Sequence, residues 1–247
     1  MVLILLCVDG IDPNLVQEFG WGNLFKFNYS LKIPQECYVN ERTIGLTPYT
    51  LRVWPTIFSG KIIDYDFIIK RKGIRKLAHD LLVKIGITWK GKPKYGLCPF
   101  NIELDTIFDE YPSFTWNIPT MDLEFIIQFP SLEILLEHSK RELGMWLRMT
   151  LGSLYFDTPI QAYFLRYVDC IGHHNPEEIR NAYNTIFLHA SDLKKKADVI
   201  LLSDHGCKDG AHTELAYLGS DYPFNAEWIH ELRADFKRVF DKIIERK

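Results

Sequence analysis

Acidic and imidazole side chains follow two strongly apolar segments of the sequence. Asp9 comes directly after the apolar residues 2–8, and the pair Asp204 and His205 follows residues 197–203. An adjacent Asp and His can offer a carboxylate oxygen and an imidazole nitrogen to one cation. An ordinary turn is the alternative, because Asp followed by Gly is also a common turn sequence. Taken one at a time, these two segments leave the choice between a metal site and a turn open.

A third pair of such side chains, Asp169 and His173, follows the apolar residues 161–168. Residues four apart lie on one face of a helix, so both side chains can bind the same cation, while His174 would then face solvent. His212 lies further along the chain, after a Gly-containing loop, and could return to the same cavity. A single His of this kind is more often a surface or capping residue than a ligand. Together, however, three Asp and three His placed after apolar segments predict a pair of metal sites.

The apolar segments predict strands that are buried on both faces, as in the centre of a parallel sheet. These strands are expected at residues 1–8, 161–168 and 197–203. Amphipathic helices are expected at residues 132–147, 176–195 and 228–244. Helices that alternate with buried strands predict an α/β fold, a doubly wound domain with a mostly parallel central sheet, whose ligand sites collect at the carboxyl ends of the strands. Because no repeat, low-complexity tract or linker interrupts the sequence, we expect a single domain over residues 1–247.

The composition excludes several classes of protein. With 47% hydrophobic residues among 247, the chain can bury a full core, which excludes a disordered chain, a collagen and a coiled coil. The net charge of -3 gives no global reason to expect binding to a nucleic acid or a membrane surface. The first apolar run is too short for a signal peptide or a membrane span, and the five scattered cysteines fit reduced thiols better than a disulfide framework. We therefore expect a cytoplasmic protein without membrane association.

Residues 47–61 contain a threonine at a distinctive distance from a Ser-Gly pair. Thr50 stands ten residues before Gly60, with Trp54 between them and Ser59 directly before the glycine. The segment resembles the nucleophile region of the alkaline phosphatase superfamily, in particular its nucleotide pyrophosphatase/phosphodiesterase branch and a branch of predicted phosphohydrolases and phosphomutases. The order of the other groups along the chain also matches that family: an Asp-Gly, an Asp-x-x-x-His, a Ser-Asp-His-Gly and a final His.

The resemblance implies an alkaline-phosphatase-like fold that binds two divalent cations. It implies one cation held by Asp9, Thr50, Asp204 and His205, and a second held by Asp169, His173 and His212. A mixed set of imidazole and carboxylate ligands suits Zn²⁺ first and Mn²⁺ second. The resemblance also implies that the Thr50 oxygen attacks phosphorus to form a phospho-threonine intermediate, which water then hydrolyses.

The sequence departs from the family pattern next to the nucleophile. Leu51 replaces the aromatic residue that stacks on a nucleobase in many relatives, and Arg52 replaces the Pro of the family's Thr-x-Pro. We find no equivalent of the Asn that helps to bind a phosphoryl oxygen in the nucleotide pyrophosphatases, so Arg52 or Lys61 is the candidate for substrate binding. A sulfatase would need a Cys or Ser at the head of Cys-x-Pro-x-Arg, which this segment does not supply.

The resemblance predicts a compact metal-dependent phosphohydrolase. At 247 residues the chain is shorter than most of its apparent relatives, which predicts that it lacks a large cap domain. We expect a phosphodiesterase of nucleotide pyrophosphatase type that acts on a small phosphate ester or nucleotide. Seven ligands account for two cations only, and a Thr nucleophile goes with the diesterase branch of the resemblance. Two alternatives stay open: a phosphomonoesterase or phosphomutase that shares the ligands, and a degenerate binding protein that has kept the fold.

The segment from Lys70 to Lys94 is strongly basic. It contains nine Lys or Arg against one acid, Asp80, in a chain whose net charge is -3. A solvated helix face is the ordinary explanation of such a run. The alternative is a surface that binds a polyanion such as a nucleotide or single-stranded nucleic acid, with Trp89 as a stacking partner.

Overall fold

The computed structural model describes residues 2–41, 45–63, 104–118 and 132–246. Ten strands lie within these residues. In chain order they are β1 (Leu3–Val8), β2 (Phe27–Lys32), β3 (Tyr38–Glu41), β4 (Gly45–Pro48), β5 (Ser113–Trp116), β6 (Ile160–Leu165), β7 (Asp198–Leu202), β8 (Gly206–Lys208), β9 (Ala211–Thr213) and β10 (Leu215–Ser220).

Six α-helices lie within the same residues. They are α1 (Pro13–Glu18), α2 (Thr50–Ser59), α3 (Leu132–Gly152), α4 (Tyr167–His174), α5 (Ile179–Lys194) and α6 (Leu232–Glu245). Short 3₁₀ turns precede several of these elements, at Gln35–Cys37, Ile107–Glu110, Pro176–Glu178 and Ile229–Glu231, and one at Ser153–Tyr155 follows α3.

Six of the strands form one sheet, in the order β2, β10, β7, β1, β6, β5. The four strands β7, β1, β6 and β5 are parallel, whereas β10 runs antiparallel to β7 and β2 antiparallel to β10. The central strand β1 is buried at every residue, as expected for a parallel strand that is covered on both faces. The sheet is therefore mostly parallel, as the sequence predicted.

Helices cover both faces of this sheet. Leu3 and Leu5 of β1 pack in one core with α2 and α6, while Ile4 and Leu6 pack in a second core with α1, α3, α4 and α5. Successive residues of a strand point to opposite faces, so one apolar strand can serve both cores. This three-layer arrangement confirms the doubly wound α/β fold.

Helix α2 begins with Thr50 and is anchored at several points along its length. Trp54 is fully buried and meets Phe164 of β6 edge-on, with the ring centroids 5.6 Å apart. Gly60 ends the helix at a φ of 69°, in the left-handed region that favours glycine. Arg233 of α6 donates to the last carbonyl of the helix at 2.7 Å, which satisfies a group that has no partner within the helix. These contacts fix the position of Thr50 relative to the sheet.

The strands β8 and β9 form a tight hairpin at the carboxyl edge of the sheet. Its two-residue turn, Asp209 and Gly210, has φ values of 52° and 80°. Positive φ at both central residues defines the type I′ turn, which Asp-Gly favours. The hairpin pairs Cys207 with His212, and so returns His212 to the segment that follows β7.

The predicted strands are present as β1, β6 and β7, but β6 ends three residues earlier than expected. It ends at Leu165, because the chain enters α4 at Tyr167. Asp169 therefore lies in the first turn of a helix rather than at the end of a strand. This is the conformation in which Asp169 and His173 share one face.

The predicted helices are present as α3, α5 and α6, with α3 longer than expected. The four cysteines among the described residues are buried and free, which fits the expectation of reduced thiols. No helix in the described ranges has the length and apolar character needed to cross a membrane. The basic segment from Lys70 to Lys94 lies outside the described residues. The single domain over residues 1–247 and the lack of a large cap accordingly stay predictions.

Candidate metal centre

The three predicted carboxylates meet at one edge of the sheet. Strands β7, β1 and β6 are neighbours, and Asp204, Asp9 and Asp169 follow their respective carboxyl ends. The backbone N–H of Asp169 donates to the carbonyl of Asp9 at 3.1 Å, and that of Asp9 donates to the carbonyl of Leu165 at 2.9 Å. Parallel strands end at the same edge of a sheet, and this is why residues far apart in the sequence come together here.

Gly10 permits the close approach of these segments. Its φ is 88°, and a Cβ on this residue would lie 2.7 Å from the backbone N and Cα of Asp169. A larger residue would therefore strain the backbone and displace α4. Gly10 also forms a β-bridge with Gly206, and its carbonyl accepts from Cys207 N at 3.0 Å. One glycine thus joins the three segments that carry the acids.

The first group of predicted ligands, here termed the Asp9 half, consists of Asp9, Thr50, Asp204 and His205. His205 Nε2 lies 3.2 Å from Asp9 Oδ1 and 3.5 Å from Asp204 Oδ2. The Thr50 hydroxyl lies 3.0 Å from the same nitrogen and donates to Asp9 Oδ2 at 3.5 Å. The structure thus brings together all four residues that the resemblance assigns to one cation.

The second group, here termed the Asp169 half, consists of Asp169, His173 and His212. Asp169 Oδ1 lies 3.3 Å from Nε2 of each of the two imidazoles. His174 is exposed, as expected. The ring of His212 also stacks on that of His205, with the centroids 4.0 Å apart. The two halves are therefore in contact and form a single centre.

All three imidazole rings have the same orientation toward the backbone. Their Nδ1 atoms face carbonyl oxygens: His173 faces Gly210 at 2.8 Å, His205 faces Gly206 at 3.2 Å, and His212 faces Pro48 at 3.1 Å. Placing the proton on Nδ1 to make these bonds directs the Nε2 lone pair at the carboxylates. A metal-binding His usually has this arrangement, in which its other nitrogen donates to a carbonyl or a carboxylate.

Several buried carboxylate oxygens of the centre have no hydrogen-bond partner among the described residues. They are Asp9 Oδ1, Asp169 Oδ1 and both oxygens of Asp204. Burial of such an oxygen is costly unless a donor or a cation compensates it. The distances of 3.2 to 3.5 Å between Nε2 and these oxygens match the edge of a tetrahedron, ~3.3 Å for ligands ~2.0–2.1 Å from its centre. The residues present therefore fit divalent cations.

The two halves differ in their electrostatics when no cation is bound. Burial raises the pKa of Asp204 to about 7, and burial followed by the charge of Asp204 raises the pKa of Asp9 well above its usual value. Burial also lowers the pKa of His205 to about 3. In the Asp169 half, burial is opposed by the Asp169 carboxylate, which lies 3.3 Å from His212 Nε2 and raises the pKa of that imidazole to about 9. The Asp9 half therefore disfavours its charged groups, whereas the Asp169 half retains an ion pair.

Two residues that the sequence analysis did not single out support the centre. The Ser203 hydroxyl accepts from Ile11 N at 2.9 Å and donates to the carbonyl of His205 at 2.7 Å. Asp12 caps α1 and accepts from the Thr213 hydroxyl of β9 at 2.6 Å. Ser203 directly precedes Asp204, and Asp12 lies two residues after Gly10. Their closeness in sequence to predicted ligands is the signal that could have identified them.

The structure directs Arg52, a predicted substrate-binding residue, toward the backbone before β3 and at its start. Its side chain is buried, and its guanidinium donates to the carbonyls of Glu36 at 2.6 Å and Tyr38 at 2.7 Å. Residues two apart on a helix do not face each other, so Arg52 and Thr50 leave α2 in different directions. Arg52 instead holds the start of β3 against α2.

Lys61 is the other predicted substrate-binding residue. It is exposed and follows the C-terminal end of α2, whereas Thr50 begins that helix. Nine steps of 1.5 Å from Thr50 to Ser59 make α2 about 14 Å long, and Lys61 lies beyond its last residue. The C-terminal end of a helix also carries partial negative charge, which disfavours an anionic substrate.

Known structures share this fold. A variant of the alkaline phosphatase from the Antarctic bacterium TAB5, solved with bound Mg, has a TM-score of 0.50 and 12% sequence identity, and the similarity covers 97% of both chains. Murine ectonucleotide pyrophosphatase/phosphodiesterase 5 has a TM-score of 0.47 and 13% identity over 83% of this chain and 57% of that one. No family model and no curated protein matches the chain. At 12% identity, the similarity to alkaline phosphatase is one of fold, and it agrees with the fold that the sequence predicted.

Proposed function

We propose that this chain, which has the fold of alkaline phosphatase, is a metal-dependent hydrolase of phosphate esters that forms a phospho-threonine intermediate and prefers diesters. The observation that carries this proposal is the position of the Thr50 hydroxyl. It lies 3.0 Å from His205 Nε2 and 3.5 Å from Asp9 Oδ2, and it belongs to the first residue of a ten-residue helix. Each part of this arrangement has a use in phosphoryl transfer.

The N-terminus of α2 suits a phosphoryl group bonded to Thr50. The first N–H groups of a helix have no partners within it, and they carry partial positive charge. Phosphate groups are commonly bound at such helix ends. A phosphoryl group on the Thr50 oxygen would lie at this end of α2, where the N–H groups of the first turn can bind its oxygens.

The ligands divide into two sets, one of which contains the proposed nucleophile Thr50. When bound, two divalent cations would supply positive charge that favours the ionised Thr50 hydroxyl and balances the charge of the transferred group. The Asp9 half would hold one cation and the Asp169 half the other. The mixed carboxylate and imidazole ligands support Zn²⁺, with Mn²⁺ as the alternative.

The reaction has two steps. In the first, the Thr50 hydroxyl loses its proton to solvent and its oxygen bonds to phosphorus. The bond from phosphorus to the leaving oxygen breaks, and the leaving group departs with the electron pair and gains a proton from solvent. In the second, a water oxygen bonds to phosphorus and the bond from phosphorus to the Thr50 oxygen breaks. Thr50 then regains its proton, and the chain returns to its starting state.

The surroundings of Arg52 support a preference for diesters. A monoester dianion carries one more negative charge than a diester and calls for an additional cation close to the nucleophile. Arg52 is the cation that the sequence places beside Thr50, but its guanidinium binds backbone carbonyls. We therefore expect the natural substrate to be a phosphodiester, such as a small ester or a nucleotide derivative.

The substrate preference is tested by comparing kcat/KM for bis-p-nitrophenyl phosphate and p-nitrophenyl phosphate at one pH, with the protein reconstituted in Zn²⁺ or Mn²⁺. We expect a diester preference of at least tenfold, about 1.4 kcal/mol of transition-state discrimination. A monoester preference of the same size would instead assign the chain as a phosphatase or phosphomutase.

The covalent step is tested separately by quenching the reaction in acid and locating the phosphoryl group by mass spectrometry. We expect it on Thr50 and on no other residue. Turnover that leaves Thr50 unmodified at every quench time, and that persists in Thr50→Ala, would contradict a phospho-threonine intermediate.

A further inference from the structure

Cys207 is a fully buried, free thiol beside the Asp169 half. It lies in β8 and pairs with His212 across the hairpin. Its Sγ, one donor atom of Asp169 and one of His173 all lie within 4.8 Å of one another. A thiol, a carboxylate and an imidazole at this separation are ligand types that Zn²⁺ combines in proteins.

Gly172 provides the space that the sulfur atom occupies. A Cβ on Gly172 would lie 2.5 Å from Cys207 Sγ. Gly172 directly precedes His173 on α4, so the sulfur contacts the same helical turn that presents a ligand. The thiol is therefore held against α4 next to the Asp169 half.

The donor atoms of the two halves differ in chemical type. The Asp9 half offers three oxygen-bearing side chains and one imidazole, whereas the Asp169 half offers one carboxylate and two imidazoles. Oxygen ligands suit Mn²⁺ and Mg²⁺, while imidazole and thiolate ligands suit Zn²⁺. A sulfur ligand would increase this difference.

We propose that Cys207 Sγ is a ligand of the cation in the Asp169 half, and that it makes this half selective for a thiophilic cation such as Zn²⁺ over Mn²⁺. This inference rests on the proposed function only in that Asp169, His173 and His212 bind a cation. The thiol binds as the thiolate, and its proton passes to solvent. Catalytic Zn²⁺ sometimes expands to five ligands, so a fourth protein ligand would still leave a position for substrate.

Packing alone is the competing explanation of Cys207. A buried cysteine often behaves as a small apolar residue, and the thiol fits against Gly172 without any cation. The two explanations differ in what a substitution does. A ligand affects the affinity for Zn²⁺ more than that for Mn²⁺, whereas a packing residue affects both affinities alike.

Co²⁺ is the first probe, because a thiolate bound to Co²⁺ gives a charge-transfer band in the near ultraviolet that nitrogen and oxygen ligands do not give. We expect this band when the cation-free protein is titrated with Co²⁺, and we expect Cys207→Ser to lose it. Cys170→Ser is the matched control. Cys170 is buried like Cys207, but it lies on α4, and its Sγ accepts a hydrogen bond from the Ser139 hydroxyl at 3.1 Å. A wild-type protein that binds Co²⁺ without the band overturns the proposal, whatever happens to the folding of the variants.

Competition between Zn²⁺ and Mn²⁺ for the cation-free protein is the second measurement. We expect Cys207→Ser to lower the affinity for Zn²⁺ at least about tenfold and that for Mn²⁺ less than about threefold. Equal losses for the two cations would assign Cys207 to packing and overturn the proposal.

The outcomes separate this inference from the proposed function. Hydrolysis of a diester by a protein without the Co²⁺ band would reject the role of Cys207 and support the activity. The band in a protein that hydrolyses no phosphate ester would support the role of Cys207 and reject the activity.

Discussion

The Asp9 half and the Asp169 half lie in contact, yet they occupy different environments. Apart from Thr50, the side chains of the Asp9 half are at most 4% exposed, whereas those of the Asp169 half are 12 to 22% exposed. The Asp9 half lies between the sheet edge and α2, and the Asp169 half lies between α4 and the β8–β9 hairpin. We infer that the buried half fixes the nucleophile and that solvent and substrate reach the centre from the other half.

The two environments also give the halves different responses to loss of a cation. In the Asp9 half, burial disfavours the ionised carboxyls and the protonated imidazole alike. In the Asp169 half, a proton on His212 can take the place of a cation, because the carboxylate of Asp169 raises the pKa of that imidazole. The Asp9 half therefore depends more strongly on its cation.

Substitution of Thr50 should have the largest effect, because the proposed mechanism takes its attacking oxygen from this residue of the Asp9 half. We expect Thr50→Ala to lower kcat by at least ~1000-fold, about 4 kcal/mol of barrier, while the remaining ligands still bind cations. Thr50→Ser keeps a hydroxyl and should keep partial activity. Rates are measured on one diester, with metal content as the control for folding. An Ala variant that retains more than about a tenth of the wild-type kcat would indicate direct attack by water.

Substitution of one ligand in each half tests whether the halves differ as their burial indicates. Asp204→Asn alters a fully buried ligand, and we expect it to lower kcat more than 100-fold, about 3 kcal/mol, at every metal concentration. His173→Gln alters an accessible ligand, and excess metal should restore much of its activity. The measurement is kcat as a function of the free concentration of Zn²⁺ or Mn²⁺. Equal metal dependence in the two variants would remove the distinction between the halves.

The pH dependence of the cation-free protein tests the ion pair of the Asp169 half. Folding raises the pKa of His212 from 6.5 to about 9, so its stabilising contribution is complete below pH 6.5 and is lost as the pH rises through 9. Folding also raises the pKa of Asp204, to about 7. This carboxyl therefore lowers the free energy of unfolding as the pH rises, and its effect is complete near pH 7. We expect the free energy of unfolding, measured with urea in the presence of a chelator, to fall between pH 7 and 9.

His212→Gln should remove most of this fall, whereas His174→Gln, which replaces an exposed imidazole of the same region, should leave it unchanged. A fall of undiminished size in His212→Gln would show that another group carries the alkaline dependence.

The smallest effect is expected at Lys61, which lies far from both halves. We expect Lys61→Ala to change kcat/KM for a diester by less than about twofold, below 0.5 kcal/mol, because the residue follows the opposite end of α2 from Thr50. Steady-state kinetics at low ionic strength, where charge effects are largest, is the measurement. A tenfold loss in this variant would restore Lys61 to the substrate site.

The sequence was sufficient to predict where the ligands lie, because each acid follows a segment with a clear apolar pattern. Buried parallel strands end at a common edge, so Asp9, Asp169 and Asp204 could be placed together without a structure. The outer strands β2 and β5 could not be predicted in the same way. Both are largely exposed or half-buried and therefore lack a continuous apolar run.

The direction of a side chain is harder to predict from the sequence than its position in the chain. Arg52 and Lys61 are both near Thr50 in sequence, but the first leaves α2 toward β3 and the second lies beyond the other end of the helix. The closeness of Cys207 to the Asp169 half depends on hairpin register and on the space at Gly172. These properties arise from tertiary packing, which local sequence patterns do not encode.

The hydrogen bond from Asp169 N to the carbonyl of Asp9 joins the two halves through the backbone. The backbone, rather than the ligand side chains, therefore sets the distance between them. Neighbouring strands lie about 4.8 Å apart, close to the ~3.5–4 Å that separates the cations of two-metal enzymes. The sheet would therefore set the spacing of the two ligand sets, whichever side chains supply the ligands. Exchange of ligand side chains would alter which cations are bound and how tightly, while their separation would persist. Such a scaffold allows metal preference to diverge, in evolution or by design, without loss of the geometry that the chemistry requires.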